Sequence, residues 1–312
     1  MNILFTNAGR RTYLIEYALE LMEADYDLNI FVSDTSFDTA AMHVDKRVNK
    51  VITPRVSESE EQYYEALIEV CKENKIEVII PLMDFELPVL AANKKAFEAL
   101  GIKVWVSNEK TILNCLNKKE NYTFCVDHGI AIPKSFFTLD EARPPYIKKH
   151  ILGSGSIGLE IVKSGVATTF EAGVDMIQAF VEGKEYGMDI LNDYQGNYIH
   201  SCFREKLEMR AGETDKARSF ESMELEKLAK KISATFKHVG NMDIDFIKTA
   251  SGDIYLIDFN PRFGGGYPFT HLSGANYLKF MIDASAGKTS SKPMFSKSIT
   301  GYKGLKLFYK EN

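Results

Sequence analysis

The chain has 312 residues, 45% hydrophobic and 26% charged, with a formal net charge of −5. That size and balance allow two or three subdomains around a sizeable core, and a mildly acidic, well-mixed charge argues against nucleic acid or an anionic membrane as the main partner. No apolar run approaches the roughly 18 residues of a membrane span, the first residues carry too short an apolar run for a signal peptide, and four scattered cysteines form neither a disulfide framework nor a thiolate zinc site, so a cytoplasmic enzyme or binder is expected.

The first hundred residues alternate β-rich and helical runs. N-I-L-F-T (2–6) precedes a run at 12–22 with apolar residues at helical spacing, and L-N-I-F-V-S-D (28–34) and K-V-I-T (50–53) read as strands. A helix at 60–73, V-I-I-P (78–81), another helix and I-K-V-W-V (102–106) complete the set. Such alternation predicts a parallel sheet with crossover helices, one α/β domain over 1–107. A helix at 108–128 leads into strands around a glycine-rich turn at 132–162, and 172–191 opens a meander. The hairpin 243–259 is expected to turn at 249–252, and a helix at 277–286 and a final strand close the chain.

Several stretches carry polar residues that a packed strand does not need. In the hairpin, pairing Lys248 with Asp253 sets Asp245 opposite Leu256, so that Asp245, Asp258 and Asn260 share a face. Two carboxylates and an amide oxygen are the hard ligands Mg²⁺ takes when substrate phosphates complete its shell, and Arg262 just beyond can hold a phosphate with its planar fork. The plain alternative is a solvated hairpin face. G-S-G-S-I-G (153–158) can form an anion nest or a simple hairpin turn; it lacks the lysine ending of a P-loop and leads into strand, not helix. Q-A-F-V-E-G-K-E (178–185) is an apolar strand able to offer its backbone to an adenine edge, with a later acid for ribose, or else a strand and a charged turn. N-A-G-R-R (7–11) places Arg10 and Arg11 after the first strand, where open α/β sheets bind ligands, and suggests either an anionic substrate group or plain solvated arginines. The acids of P-L-M-D-F-E (81–86), Asp84 among them, can face the same crevice.

In this order and spacing the stretches resemble the ATP-grasp superfamily, in particular its small proteins related to the carbamoyl-phosphate synthase large subunit, over about residues 1–270. The resemblance implies a Rossmann-like pre-ATP-grasp domain (1–107) followed by an ATP-grasp α+β fold (108–312), with a small lid at about 140–180 and a metal-binding part at 181–312. It implies that L-N-K-K-E-N-Y supplies Lys118 as a first nucleotide lysine and Y-I-K-K-H-I-L-G-S-G-S-I-G supplies Lys149 as a second. Gly153, Ser154, Gly155 and Ser156 become the phosphate loop, Gln178 through Ala179, Phe180 and Val181 the adenine hinge, and Glu185 the ribose acid. Arg204, Arg210 and Arg262 become contacts of the transferred phosphate, Asp245, Asp258 and Asn260 ligands of Mg²⁺ (or Mn²⁺), and Gly265 and Gly266 part of the acceptor loop. His150 stands where the family has proline, Gln178 where it has an acid, and Asn117 where it has aspartate.

The implied activity is an ADP-forming ligase. A carboxylate attacks the γ-phosphorus of ATP, Mg²⁺ and the basic residues neutralise the transferring group, and an amine takes the acyl group. Small-molecule acid and amine substrates are expected, no nucleic acid or membrane, and a homodimer as in many family members. Competing readings are a carboxy- or carbamoyl-phosphate-forming enzyme that uses bicarbonate, a nucleotide-binding module without turnover, and a nicotinamide oxidoreductase, which the missing G-x-G-x-x-G disfavours.

Overall fold

The computed structural model describes residues 1–153, 158–165, 169–210 and 212–309. The β-branched and aromatic runs of the first hundred residues pair in parallel as β1 (Asn2–Thr6), β2 (Asn29–Asp34), β3 (Asn49–Ile52), β4 (Val78–Pro81) and β5 (Lys103–Val104), in the order β3-β2-β1-β4-β5. Both faces of this sheet are covered, so its strands are apolar on both sides. Ile3 and Phe5 join one core, with helix α1 (Thr12–Glu23), while Leu4 joins another, with α2 (Glu60–Glu73), α3 (Leu87–Ala92) and α4 (Lys94–Ala99). The order reverses between β1 and β4, so the carboxyl ends of these two strands flank the crevice where such sheets bind ligands.

The helix expected over 108–128 is two helices, α5 (Glu109–Leu116) and α6 (Lys118–Asp127). Asn117 breaks it: its backbone is extended (φ −91°, ψ 108°) and its side chain accepts hydrogen bonds from the N–H groups of Lys119 and Glu120. Asparagine caps a helix as well as aspartate does, so the departure from the family residue leaves this turn intact. Four antiparallel strands follow, β6 (Ser135–Phe136), β7 (Tyr146–His150), β8 (Glu160–Val162) and β9 (Asp175–Ala179), in the order β6-β9-β7-β8 over a small core of Ala142, Tyr146, Val162 and Ile177.

The remaining strands form a six-stranded antiparallel sheet, β14-β13-β10-β11-β12-β15, from β10 (Lys184–Asn192), β11 (Tyr198–Arg210), β12 (Glu213–Phe220), β13 (Gly240–Lys248), β14 (Ile254–Asn260) and β15 (Thr300–Tyr302). Alternation along β13 sends Met242, Ile244 and Phe246 into a core against α7 (Met223–Phe236), leaving Asp243 and Asp245 on the other face. Helix α7 starts at Ser222, whose hydroxyl accepts from Leu225 N, and buries Leu225, Ala229, Ile232 and Phe236 at helical spacing. Helices α8 (Tyr267–Leu272) and α9 (Tyr277–Ser285) return to the parallel sheet, adding Tyr267, Tyr277, Leu278 and Met281 to the core of Ile3 and Phe5. Among the described residues no helix is long and apolar enough to cross a membrane.

Candidate active site

The hairpin register differs from the expected one, and the difference builds the site. Lys248 pairs with Ile254, not Asp253, because the loop Thr249–Asp253 is closed by hydrogen bonds between those two residues. That one-residue shift alone would turn Asp258 away from Asp245. A β-bulge at Ile257 restores the parity: Phe246 faces Leu256, and the next pairs are Asp245 with Asp258 and Asp243 with Asn260. Three carboxylates and one amide therefore occupy alternate rungs on one face of the sheet, with Asp243 and Asn260 buried. Burial pushes the Asp245 carboxyl up, with Asp243 and Asp258 adding to the rise against the pull of Lys206.

These groups line a cavity of about 250 Å³ shared by both domains. From the parallel sheet come Arg11, Met83 and Asp84, and Asp84 Oδ2 accepts from Arg262 Nη2 at 2.6 Å. Arg262 also donates to Asn260 Oδ1 (3.1 Å) and Phe263 O (3.1 Å), so the phosphate arginine of the sequence reading is anchored beside the carboxylates. Buried polar atoms without a partner among the described residues cluster here: Arg11 Nε, Asp84 Oδ1, Arg204 Nε and Arg262 Nε. Such atoms cost free energy unless a ligand or water meets them.

Arg204 occupies the floor of this cavity and is 2% exposed. Its two Nη atoms donate to Asp189 Oδ2 (2.6 Å) and to Asp243, and its Nε has no partner among the described residues. Burial opposes its charge, and the flanking carboxylates outweigh burial and hold it protonated. In this geometry it braces Asp243 and offers no free fork. The triple glycine has a matching reason. A Cβ on Gly266 would fall on the Arg204 guanidinium and one on Gly264 on Asp243, whereas Gly265 faces only the ends of Glu213 and Lys303. Two of the three glycines therefore make room for a buried ion pair, and the turn itself does not demand them. Tyr13 Oη seals the loop by donating to Gly264 O at 2.7 Å. Arg210 lies apart on the rim, mostly exposed and paired with Asp215 at 3.3 Å.

Both lysines of the sequence reading approach the same face from the small sheet and α6. Lys149 Nζ donates to Gln178 Oε1 (2.9 Å) and Ile257 O (3.4 Å), and Lys118 Nζ to Gly153 O (2.7 Å). Strand alternation turns the neighbouring Lys148 the other way, to Thr169 and Glu160. Burial lowers Lys149 to about 8 and also lowers Lys118. Between the sheets, beside Cys115, Lys118, Lys149 and Gln178, the free volume is only about 10 Å³, and it widens to about 200 Å³ toward Asp84, Phe85 and Gly153. Ser154, Gly155 and Ser156 lie outside the described residues. At the expected hinge, Ala179 N and Phe180 N already donate to Lys134 O and Pro145 O, while Val181 follows half-exposed. Glu185 reaches toward the sheet face, 2.6 Å from Lys206.

Two residues of this region escaped the sequence reading, and a third was misplaced by it. Lys206 is buried between Asp245 Oδ2 (2.7 Å) and Glu185 Oε1 (2.6 Å); it stands two residues from Arg204, hence on the same face, and that parity was its signal. Glu213 pairs with Arg11 (3.1 Å) and Lys303 (3.4 Å), partners distant in sequence. Glu86, grouped with Asp84 as facing the crevice, is fully buried instead. It accepts from Tyr63 Oη, Asn7 Nδ2 and the N–H groups of Leu82 and Met83, tying together the loops after β1 and β4. Among the described residues no group of three His, Cys, Asp or Glu side chains is arranged to hold a metal ion. Two facing carboxylates plus an amide are a donor set of the other kind, in which phosphate oxygens supply the remaining ligands.

Residues 3–105 match the family model of a PylC-like N-terminal domain, and residues 115–266 match that of an ATP-grasp domain. None of the curated proteins matches the chain by sequence. Among solved structures, the ADP complex of PurK, an N5-carboxyaminoimidazole ribonucleotide synthetase, superposes with a TM-score of 0.74 at 13% identity, covering 96% of this chain and 80% of that one. The biotin carboxylase domain dimer of Hydrogenobacter thermophilus 2-oxoglutarate carboxylase, in complex with MgADP, ADP and bicarbonate, gives 0.71 at 17%, covering 94% and 71%. The L-amino acid ligase of Bacillus licheniformis gives 0.67 at 17%, covering 95% and 75%.

Proposed function

Because the chain belongs to the ATP-grasp superfamily, we propose that it is an ADP-forming ligase that activates a carboxylate as an acyl phosphate and couples it to an amine. The observation that carries this reading is the pairing of Asp245 with Asp258 and of Asp243 with Asn260, opposite the two lysines of α6 and β7. Asp245, Asp258 and Asn260 are the residues that would hold Mg²⁺, and Mn²⁺ suits the same oxygen set. The ion would neutralise and orient the triphosphate.

In this reading Lys118 and Lys149 bind the phosphates of ATP, Gly153 through Ser156 cover them, Gln178 to Val181 flank the adenine and Glu185 accepts from the ribose. The gap of about 10 Å³ beside Lys149 admits no nucleotide, so binding parts the small sheet from the large one. Arg262, anchored on Asp84 and Asn260, neutralises the transferring group, and Arg204 acts on it through Asp243. Arg210 serves at the rim. The acid's oxygen attacks the γ-phosphorus and ADP leaves. The amine nitrogen then attacks the acyl carbon and phosphate leaves, with Arg10 and Arg11 holding an anionic substrate group.

The test is ADP release from Mg-ATP with pooled carboxylic acids and hydroxylamine as a surrogate amine. Acid-dependent ADP with a trapped hydroxamate supports the ligase; no ADP with any acid refutes it. A second reading takes bicarbonate as the acid, as the bicarbonate-bound biotin carboxylase domain suggests; ADP release stimulated by bicarbonate alone would favour it. The proposal further divides the chain at about residue 107, assigns about 140–180 as the lid, places the protein in the cytoplasm and pairs two copies as in the biotin carboxylase dimer, which sedimentation would check.

A further inference from the structure

A second cavity adjoins the one just described. It measures about 550 Å³, within the range of small-molecule sites, and lies at the carboxyl ends of β1 and β2, beside the point where the strand order reverses. Its charged lining is Arg10, Arg11, Arg55, Asp34 and Glu213; its apolar wall is Val56, Met83 and Phe85. The two cavities share three residues, Arg11, Met83 and Glu213. The ion pair of Arg11 Nη1 with Glu213 Oε1 (3.1 Å) and the side chain of Met83 thus stand on the boundary of both cavities.

The chemistry on the two sides differs. The smaller cavity has the facing carboxylates. The larger has guanidinium groups that the protein leaves nearly free: Arg10 makes no ion pair among the described residues, and Arg55 meets Glu58 only at 4.0 Å. Asp34, in contrast, is fixed by the N–H groups of Gly9 (2.9 Å) and Thr35 (2.7 Å). Glu213 stays ionised, since Arg11 and Lys303 outweigh its burial. Nearly free guanidinium groups, a carboxylate shared with the neighbouring cavity and an apolar wall in one crevice complement a molecule with a carboxylate, an ammonium and an apolar body.

Resting on the ligase reading, we propose that the nitrogen nucleophile is an amino acid with an apolar side chain, bound in this crevice with its carboxylate on Arg10 and Arg55. Its ammonium replaces Arg11 on Glu213 and gives one proton to that carboxylate; the free amine then attacks the acyl carbon, the carbon–oxygen bond to phosphate breaks, and phosphate leaves with the second proton. Bicarbonate or ammonia would need neither the volume nor the wall.

The experiment compares L-leucine and L-phenylalanine with isoamylamine and phenethylamine, which lack the carboxylate, on the full chain and on Arg55→Met, an exposed position. Calorimetry reads binding, and ADP release is followed with each compound and with hydroxylamine, which is too small to need the crevice. At least one amino acid should bind and support turnover, its decarboxylated partner about tenfold more weakly or worse, and Arg55→Met should remove that advantage while sparing the hydroxylamine reaction. Equal use of amine and amino acid, no binding of either amino acid at millimolar concentration, or equal loss of the hydroxylamine reaction in Arg55→Met would overturn the assignment. A wild type that binds the amino acid yet releases no ADP with any acid would instead sink the ligase reading, and the nucleophile role with it.

Discussion

Replacing Gly266 with alanine tests the account of the cavity floor. None of Gly264, Gly265 and Gly266 has a positive φ, so backbone strain plays no part and only space decides. At Gly266 the new methyl would sit well inside 3.0 Å of Arg204 Cζ, Nε and Nη2. The guanidinium cannot retreat, being held by Asp189 and Asp243. Overpacking costs about 1–3 kcal/mol, and displacing one partner of a buried ion pair about 3–5 kcal/mol. These describe the same movement and are not additive, so a loss of about 3–5 kcal/mol is expected. Gly265→Ala is the control: its methyl meets Glu213 Oε2 at 3.2 Å and Lys303 Nζ at 3.4 Å, the ends of flexible side chains, and should change stability by about 0.5 kcal/mol or less. Urea denaturation followed by circular dichroism compares the midpoints at equal slope. If Gly266→Ala and Gly265→Ala unfold at the same urea concentration, the ion pair does not fill the space beneath the loop.

Asp258→Asn should keep the circular dichroism spectrum and abolish Mg²⁺-dependent ADP binding measured by calorimetry; binding that still rises with Mg²⁺ would refute the metal assignment. Lys149 is held near 8 by burial, below the ordinary lysine value, so between about pH 8 and 10.4 the unfolded chain binds more protons and this residue favours folding increasingly as pH rises. ADP binding above pH 8 should therefore take up a proton as the phosphates charge the lysine, visible as a dependence of binding heat on buffer ionisation; Lys149→Met should lose it, and a wild type with no such dependence would contradict the depressed lysine. Glu86→Gln should weaken acid-dependent turnover through the loops it ties while leaving ADP affinity unchanged; an equal fall in ADP affinity would mean a global loss of structure.

The parallel sheet was legible because both its faces are buried and its crossover helices carry helical spacing, as at Leu14, Ile15 and Ala18. The carboxylates were legible as residue types, their shared face following from local alternation, and Lys149 through the resemblance of its glycine-rich stretch to the family's. The register was not: period-two reasoning cannot see an extra residue such as Ile257, and two errors of parity happened to cancel. Nor could local patterns reveal pairs made across the domains, Asp84 with Arg262 and Arg11 with Glu213, 178 and 202 residues apart. Arg204 read as a phosphate ligand because the resemblance places a basic segment there, and its two buried counterions become visible only once β10 stands between β11 and β13.

The bulge at Ile257 decides which changes of length the hairpin can absorb. Without Ile257 the ladder would run on unbroken, Leu256 opposite Phe246 and Asp258 opposite Asp245, and the aspartate would keep its face. If Ile257 stayed and the bulge were flattened, Asp258 would lie opposite Ile244 and point into the hydrocarbon packed around Phe246 and Phe236. The spacing of the two aspartates in the sequence is therefore no criterion of a working centre by itself, since the same face is reached with one residue fewer and lost at the present count if the strand straightens.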